Sequence, residues 1–258
     1  MSSSTWTPAA LSSSARRAAG VGWRLVEAQH YVSTMKLTDT AAEQARLEQL
    51  IEGSKPTVPE ECRDLHYLLH TPFRYGAIYP HGSRFRRAGL TPGVFYASVQ
   101  APTAVAEVAF YRLLFFAESP DTPWPANAAE YTAFSAQYAT GRAVDLTLAP
   151  FAADAEAWGH RTDYAACQAF ADAARVAGIE AIKYRSVRDP DGGMNIALLA
   201  CRVFTRSDPV DRQTWKLKLG PAGAIAVREA PRGFIDYGRT AFAADPRIAA
   251  MRWERERP

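Results

Sequence analysis

Along the first third of the chain, apolar positions recur with helical spacing. Across "TAAEQARLEQLIEG", Leu47, Leu50 and Ile51 fall on one face with charged residues opposite, and Gly53 stands where a C-cap would fall. The pattern predicts helix over Val21 to Glu52. "SKPTVP" then breaks it, and "PEECRDLHYLLH" predicts a second short helix with proline near its start and Thr71-Pro72 at its end. A loop-rich stretch, "TPFRYGAIYPHGSRFRRAGLTPG", leads into a short strand, "VFYAS". Next comes a helix, Ala104 to Glu118, built almost wholly from Ala, Val, Phe and Leu. "YTAFSAQY" and "RAVDLTL" predict strands joined through Thr140-Gly141. "TDYAACQAFADAARVAG" is an amphipathic helix ended by Gly178. "EAIKYRSVR" and "NIALLACRVF" are β-rich runs on either side of the turn chemistry of "DPDGGM". "TWKLKLG" and "AIAVREA" add a late hairpin, and the charged tail after Asp245 is expected to pack poorly.

Short strands interspersed with a few helices predict a mixed α+β domain rather than a regular parallel array. The expected organisation is a helical N-terminal extension with a disordered lead (1–60), a central domain (61–205), and a C-terminal β-rich extension with a charged tail (206–258).

Composition narrows the class. Of 258 residues, 48% are apolar and 22% charged, as in soluble globular proteins. No run approaches the roughly 18 apolar residues of a membrane span. The opening "MSSSTWTPAALSSSARRAAG" lacks the apolar core of a secretory signal. A net charge of +3, with both signs interspersed, leaves no basic stripe for nucleic acid. Three well-separated cysteines, Cys62, Cys167 and Cys201, fit a reduced cytoplasmic compartment better than a disulfide framework. The expectation is a cytoplasmic protein with no membrane and no direct nucleic-acid partner.

The common nucleotide motifs fail. "GVGW" has no third glycine and no strand before it, "GPAGA" is a turn between β-like runs, and there is neither a P-loop nor a G-x-S-x-G elbow. Cys62, His66 and His70 are spaced so that a continuous helix would stack all three near one face, in a ligand set that suits zinc. Three ligands on one helix rarely close a tetrahedron, so the plainer reading is a buried cysteine beside two histidines, and no metal is expected.

Glu107 is the more informative residue, a lone carboxylate inside the apolar helix. It is either the partner of an arginine or lysine in a structural ion pair, or a working group facing a cleft with Tyr96 and Arg84. Arginine, an aromatic ring and a carboxylate suit cleavage of the nicotinamide–ribose bond of NAD. The guanidinium fork grips a pyrophosphate, and the ring stacks on nicotinamide. The carboxylate meets the oxocarbenium charge and the ribose hydroxyls.

The blocks "TPFRYGAIYPHGSRFRRAG", "TPGVFYAS", "TAVAEVAFYR" and "GIEAIKYRSVRDPDGGMNIALL", in that order, resemble the RES domain, named for its Arg, Glu and Ser. The upstream "WRLVEAQHYVSTMKLTDTAAEQARLEQLIEGSKPTVP" is similar to the extension of longer members. The resemblance runs from about Trp23 to Phe204 and makes the central domain the catalytic one. By position, the family's Arg falls on Arg84, its Tyr on Tyr96, its Glu on Glu107 and its Ser on Ser186. Arg74 and Asn195 are further pocket candidates, and Arg86, Arg87, Arg185 and Arg188 are surplus arginines around the cleft. The resemblance implies an ADP-ribosyltransferase-like split β-sheet, NAD as substrate, and the toxin half of a bacterial toxin–antitoxin pair. It also implies an Xre-type antitoxin as partner and allows a protein acceptor of ADP-ribose. Phosphorolysis, hydrolysis and ADP-ribosyl transfer stay open, as does a non-catalytic module binding a nucleotide or a partner protein.

Overall fold

The computed structural model describes residues 6–28, 32–77 and 80–255. Its helices are α1 (Pro8–Ser14), α2 (Val32–Met35), α3 (Ala41–Ser54), α4 (Tyr67–Arg74), α5 (Ala101–Glu118), α6 (Ala155–Trp158), α7 (Ala165–Val176) and α8 (Pro246–Ala249). Its strands are β1 (Arg16–Glu27), β2 (Phe95–Ser98), β3 (Ala129–Asp145), β4 (Ala181–Arg185), β5 (Met194–Leu198), β6 (Arg212–Gly220), β7 (Gly223–Arg228) and β8 (Gly233–Gly238). The expected α+β class is observed. Among the described residues no helix is long and apolar enough to cross a membrane.

The strands lie in one mixed sheet in the order β1-β2-β5-β4-β3-β6-β7-β8, with β1 also paired to β3. That extra pairing brings β1, β2, β5, β4 and β3 round on themselves. Only β3 and β4 run parallel; the other neighbours are antiparallel. One edge of β3 is shared: Ala129–Phe134 pair with β6, and Ala143–Asp145 pair with β4. The sheet therefore splits at β3, with the chain around 204–211 bridging the gap through Ser135 and Gln137.

Helix α5 sits in the fork. A helix apolar all round has to be buried on most sides, and Ala104, Val105, Ala109, Phe110, Leu113 and Phe116 all are. They pack with Leu25 of β1, Tyr131 of β3, Trp215 and Leu217 of β6, and Ile248, Met251 and Trp253 of the tail. Each Phe or Leu so buried contributes about 1.5–3 kcal/mol. A second cluster lies between α7 and the outer face of β4 and β5. A third fills the space enclosed by the ring of strands, around Phe95, Phe134, Ile196 and Leu198.

Several expectations need correction. Residues 16–27 are strand and pair with β3, where helix was expected from Val21 and 16–20 were expected in the disordered lead. Of the expected disordered lead, residues 1–5 lie outside the described residues, while Pro8–Ser14 is helical. Helix α3 is real and carries a Thr40–Glu43 capping box, but it runs through Gly53 and buries none of its residues; Leu50 is exposed. Helix α4 begins later than expected and continues past Pro72. Thr140 and Gly141 do not turn: β3 is continuous because β1 runs beside it. The tail is well packed, with Asp245, Ile248, Met251 and Trp253 buried. Cys62 and Cys201 form a disulfide with their Cα atoms 5.7 Å apart, brought together by facing 3-10 turns at Glu60–Cys62 and Cys201–Val203. Only Cys167 keeps a free thiol.

Candidate active site

Three strands end side by side where α5 begins. Pairing sets Ser98 of β2 opposite Asn195 of β5, and Asn195 opposite Tyr184 of β4, so all three share one face. Ser186 follows β4 directly, its amide bonded to Gly193 O at 2.8 Å. Gly193 favours glycine, because a Cβ there would lie 2.1 Å from Thr103 Oγ1 and 2.5 Å from Asp189 Oδ2 and force those side chains to move. That close approach brings the first turns of α5 down onto the loop after Ser186.

Glu107 is half-buried above these strand ends. Its Oε1 accepts from Ser186 Oγ at 2.7 Å and from Asn195 Nδ2 at 2.6 Å. Both donors are themselves fixed. Ser98 Oγ donates to Asn195 Oδ1 at 2.7 Å, which settles the amide's orientation. Ser186 Oγ accepts the amides of Arg188 and Asp189 at 3.2 and 2.9 Å. No hydrogen bond reaches Oε2 among the described residues, and no ion pair reaches Glu107. One carboxylate oxygen is anchored twice and the other is not.

Tyr96 and Arg84 lie on the adjoining wall. The Tyr96 hydroxyl sits 2.9 Å from Ser83 Oγ and accepts the Phe85 amide at 2.8 Å, so it pins the loop that carries Arg84. Burial pushes the Tyr96 phenol up to about 12, against the opposing pull of those bonds. Arg84 is buried and donates to Trp158 O at 2.5 Å and His160 O at 3.0 Å, with its guanidinium over the Tyr164 ring at 4.8 Å. Gln168 of α7 laces the same loop through His81 O and Ser83 O at 2.9 and 3.1 Å. A cavity of about 380 Å³ opens on this side, lined by His81, Arg87, Tyr164 and Gln168.

Tyr184 connects the two halves. Its phenol is raised well above its ordinary range by burial first, then by the nearby Glu107 charge and Tyr96, while Arg84 opposes.

Glu107, Ser186 and Asn195 thus converge, and Tyr96 and Arg84 are neighbours reached through Tyr184. Arg74 belongs elsewhere: it pairs with Glu52 of α3 at 2.6 Å and donates to Pro56 O. The surplus arginines are mostly committed: Arg86 to Tyr75 O at 2.6 Å, Arg87 to Asp172 at 2.6 Å, and Arg188 to Asp245 at 2.6 Å. Arg185 is exposed beside Ser186. The zinc alternative does not assemble, because Cys62 is bonded to Cys201 outside the helix and His66 Nδ1 accepts the Leu68 amide as its N-cap. Sequence reasoning missed Ser98, Tyr184 and Asp245. The first two had a signal in the strand alternation; Asp245 had none.

The RES domain family model matches residues 58–220. The chain belongs to the RES domain family. Among curated proteins none matches this RES protein. Among solved structures, it is similar to a chain in the crystal structure of the M. tuberculosis MbcT–MbcA toxin–antitoxin complex, with 17% identity and a TM-score of 0.44. That alignment covers 81% of this chain and 92% of the other.

Proposed function

We propose that this RES protein is the toxin of a toxin–antitoxin pair and that it cleaves the nicotinamide–ribose bond of NAD. The observation that carries the reading is the asymmetry of Glu107, whose Oε1 is held by Ser186 and Asn195 while Oε2 is unclaimed. An anchored carboxylate with one free oxygen suits a reaction that develops positive charge on a sugar carbon. In that reaction the C1′–N bond breaks and its electron pair returns to the pyridinium nitrogen, neutralising it. The leaving group needs no proton. A nucleophile then gives its pair to C1′, and any proton it carries passes to Glu107 or solvent.

Glu107 stabilises the oxocarbenium-like transition state and takes a bond from a ribose hydroxyl, and Ser186 and Asn195 orient it. Tyr96 and Arg84 shape the wall against which the nicotinamide and pyrophosphate lie. Since both already bond to protein groups, direct contact with substrate requires them to exchange those bonds. The exposed Arg185 beside Ser186 suits a phosphate nucleophile. The partner in this reading is an Xre-type antitoxin that covers the cleft in the cytoplasm, and a protein acceptor is the third candidate nucleophile.

The test is nicotinamide release from NAD with and without phosphate, beside Glu107→Gln. That variant keeps the shape and loses the charge, so kcat should fall by on the order of a hundredfold or more. Faster release with phosphate identifies a phosphorylase, and release indifferent to phosphate a glycohydrolase. Labelling of a protein by ADP-ribose identifies a transferase. Near-wild-type turnover in Glu107→Gln, or no release or transfer under any of these conditions, refutes the reading.

A further inference from the structure

Among the described residues, Arg188 and Asp245 form the one ion pair with both side chains almost wholly buried, at 2.6 Å and with 2% and 1% exposure. Burying two charges is costly unless the geometry is good and the remaining donors are satisfied. Here they are. Arg188 also donates to Arg161 O and to the Tyr164 hydroxyl, the latter at 3.1 Å, and its guanidinium lies 3.9 Å from the centre of the Phe110 ring. Asp245 is fixed in turn by Arg247, whose amide and Nη2 donate to it at 3.0 and 2.9 Å.

The guanidinium thus stands where four pieces of chain meet. Phe110 lies one helical turn beyond Glu107. Arg161 and Tyr164 belong to the loop that receives Arg84. The Arg188 amide bonds Ser186 Oγ, which bonds Glu107. Asp245 comes from the tail, 57 residues away in sequence. Farther along, Arg255 donates to Phe116 O and Ser119 O at 2.5 and 2.7 Å and so caps the far end of α5. A pair that served stability alone would be replaceable by apolar groups of similar volume. This one is placed to fix α5 relative to the Ser186 loop.

We infer that Asp245 is a positioning residue: through Arg188 it sets the Ser186 loop against α5 and so fixes the Ser186–Glu107 bond. The inference rests on the proposed NAD cleavage for its kinetic consequence, but the lock itself is readable without it. Asp245→Asn keeps the shape and removes the charge. The amides of Arg188 and Asp189 should then exchange hydrogen about tenfold faster. On the same variant kcat for nicotinamide release should fall by on the order of tenfold to a hundredfold with KM little changed.

Because a lone buried Arg188 could compromise folding, the second variant is Arg188→Met with Asp245→Leu, which removes both charges together. If the lock positions the site, thermal stability recovers in this double variant while kcat stays low. Recovery of kcat along with stability would overturn the inference, as would unchanged amide exchange in a folded Asp245→Asn protein. Should the wild-type protein release no nicotinamide, the proposed reaction fails, and the two amides alone decide the lock: faster exchange in Asp245→Asn upholds it, unchanged exchange removes it.

Discussion

Replacing Ser186 by Ala tests the site at its most connected atom. Ser186 is 3% exposed, and its hydroxyl donates to Glu107 at 2.7 Å and accepts the amides of Arg188 and Asp189. Its removal deletes a hydrogen bond to a charged group, worth about 1.5–3 kcal/mol, and leaves two amides short of an acceptor at about 1–3 kcal/mol each where no water replaces it. The three contacts share one oxygen and do not add, so a total loss of about 3 kcal/mol is expected. For a chain of this size that lowers Tm by roughly 6–12 °C. Glu107 keeps only its Asn195 bond, and kcat for nicotinamide release should fall by roughly tenfold to a hundredfold. Urea and thermal melts beside initial rates make the assay. Ser13→Ala serves as control, since the exposed Ser13 hydroxyl bonds only Ala9 O and its loss should stay within about 0.5 kcal/mol. If Ser186→Ala melts and turns over like the control, the hydroxyl is not the junction described here.

Other consequences are as direct. Gly193→Ala should destabilise by about 1–3 kcal/mol, since its methyl would overlap the buried Thr103 side chain and push Asp189 off its bond to the residue 193 amide; a wild-type urea midpoint would refute the close approach. His66 is held below its ordinary 6.5 by burial and by the Arg212 charge, so its share of stability is present above pH 6.5 and is lost as pH falls through its lower folded value. Protonation removes the Nδ1 acceptor that caps α4, a loss of at most about 1 kcal/mol for a half-buried ring. His66→Asn, a cap that does not titrate, should narrow the difference in urea midpoint between pH 7.5 and pH 5.5, and an unchanged difference would remove the role. Burial alone would raise the Asp245 carboxyl, but Arg247 and Arg188 hold it below its ordinary 3.8; its contribution is therefore intact above pH 3.8 and lost only in stronger acid. Asp245→Asn should abolish that acid step in the stability curve. A chain lacking residues 1–27 loses the strand that joins β2 to β3 and should not melt cooperatively; a soluble, cooperatively melting product would show that the ring of strands does not need it.

Elements whose burial pattern is set locally were legible in the sequence. Helices α5 and α7, strands β2, β4 and β5, and the β6–β7 hairpin carry their own periodicity and punctuation, down to Gly178 at φ +70° after α7. Strand β1 was not, because "RRAAGVGWRLVE" is rich in small residues that serve close packing rather than strand propensity: a Cβ on Gly22 would lie 2.9 Å from the Ala97 Cβ. Nothing local tells such a run from helix; its register with β3 does. Gly141 misled in the opposite sense: it falls at the register shift between Thr140 and Ala143 in β3, which reads as a turn when the partner strand lies more than a hundred residues earlier. The Cys62–Cys201 disulfide spans 139 residues and had no spacing to announce it. In the site, Glu107, Ser186 and Asn195 were legible through the order of their blocks. Ser98 and Tyr184 share faces with Tyr96 and Ser186 by strand alternation, but that they flank Asn195 depends on register, and Asp245 depends on where the tail docks.

Glu107 had two readings, a structural ion pair or a working carboxylate, and the geometry counts against the first. An ion pair would set an arginine or lysine against it, and none pairs with it among the described residues; Arg84 and Arg188 are engaged with Trp158, His160 and Asp245 instead. The groups that do hold Glu107, a serine hydroxyl and a side-chain amide, are neutral. They orient the carboxylate without cancelling its charge. Placing a half-buried carboxylate in an apolar helix with only neutral partners costs the fold more than an apolar side chain would. A chain that only needed the helix packed would do better with Leu or Gln at that position. The cost is offset when a cationic centre arrives from outside and meets the free Oε2, which is what an oxocarbenium-like transition state provides. The same neutral donors that make Glu107 a poor structural residue make it a suitable catalytic one.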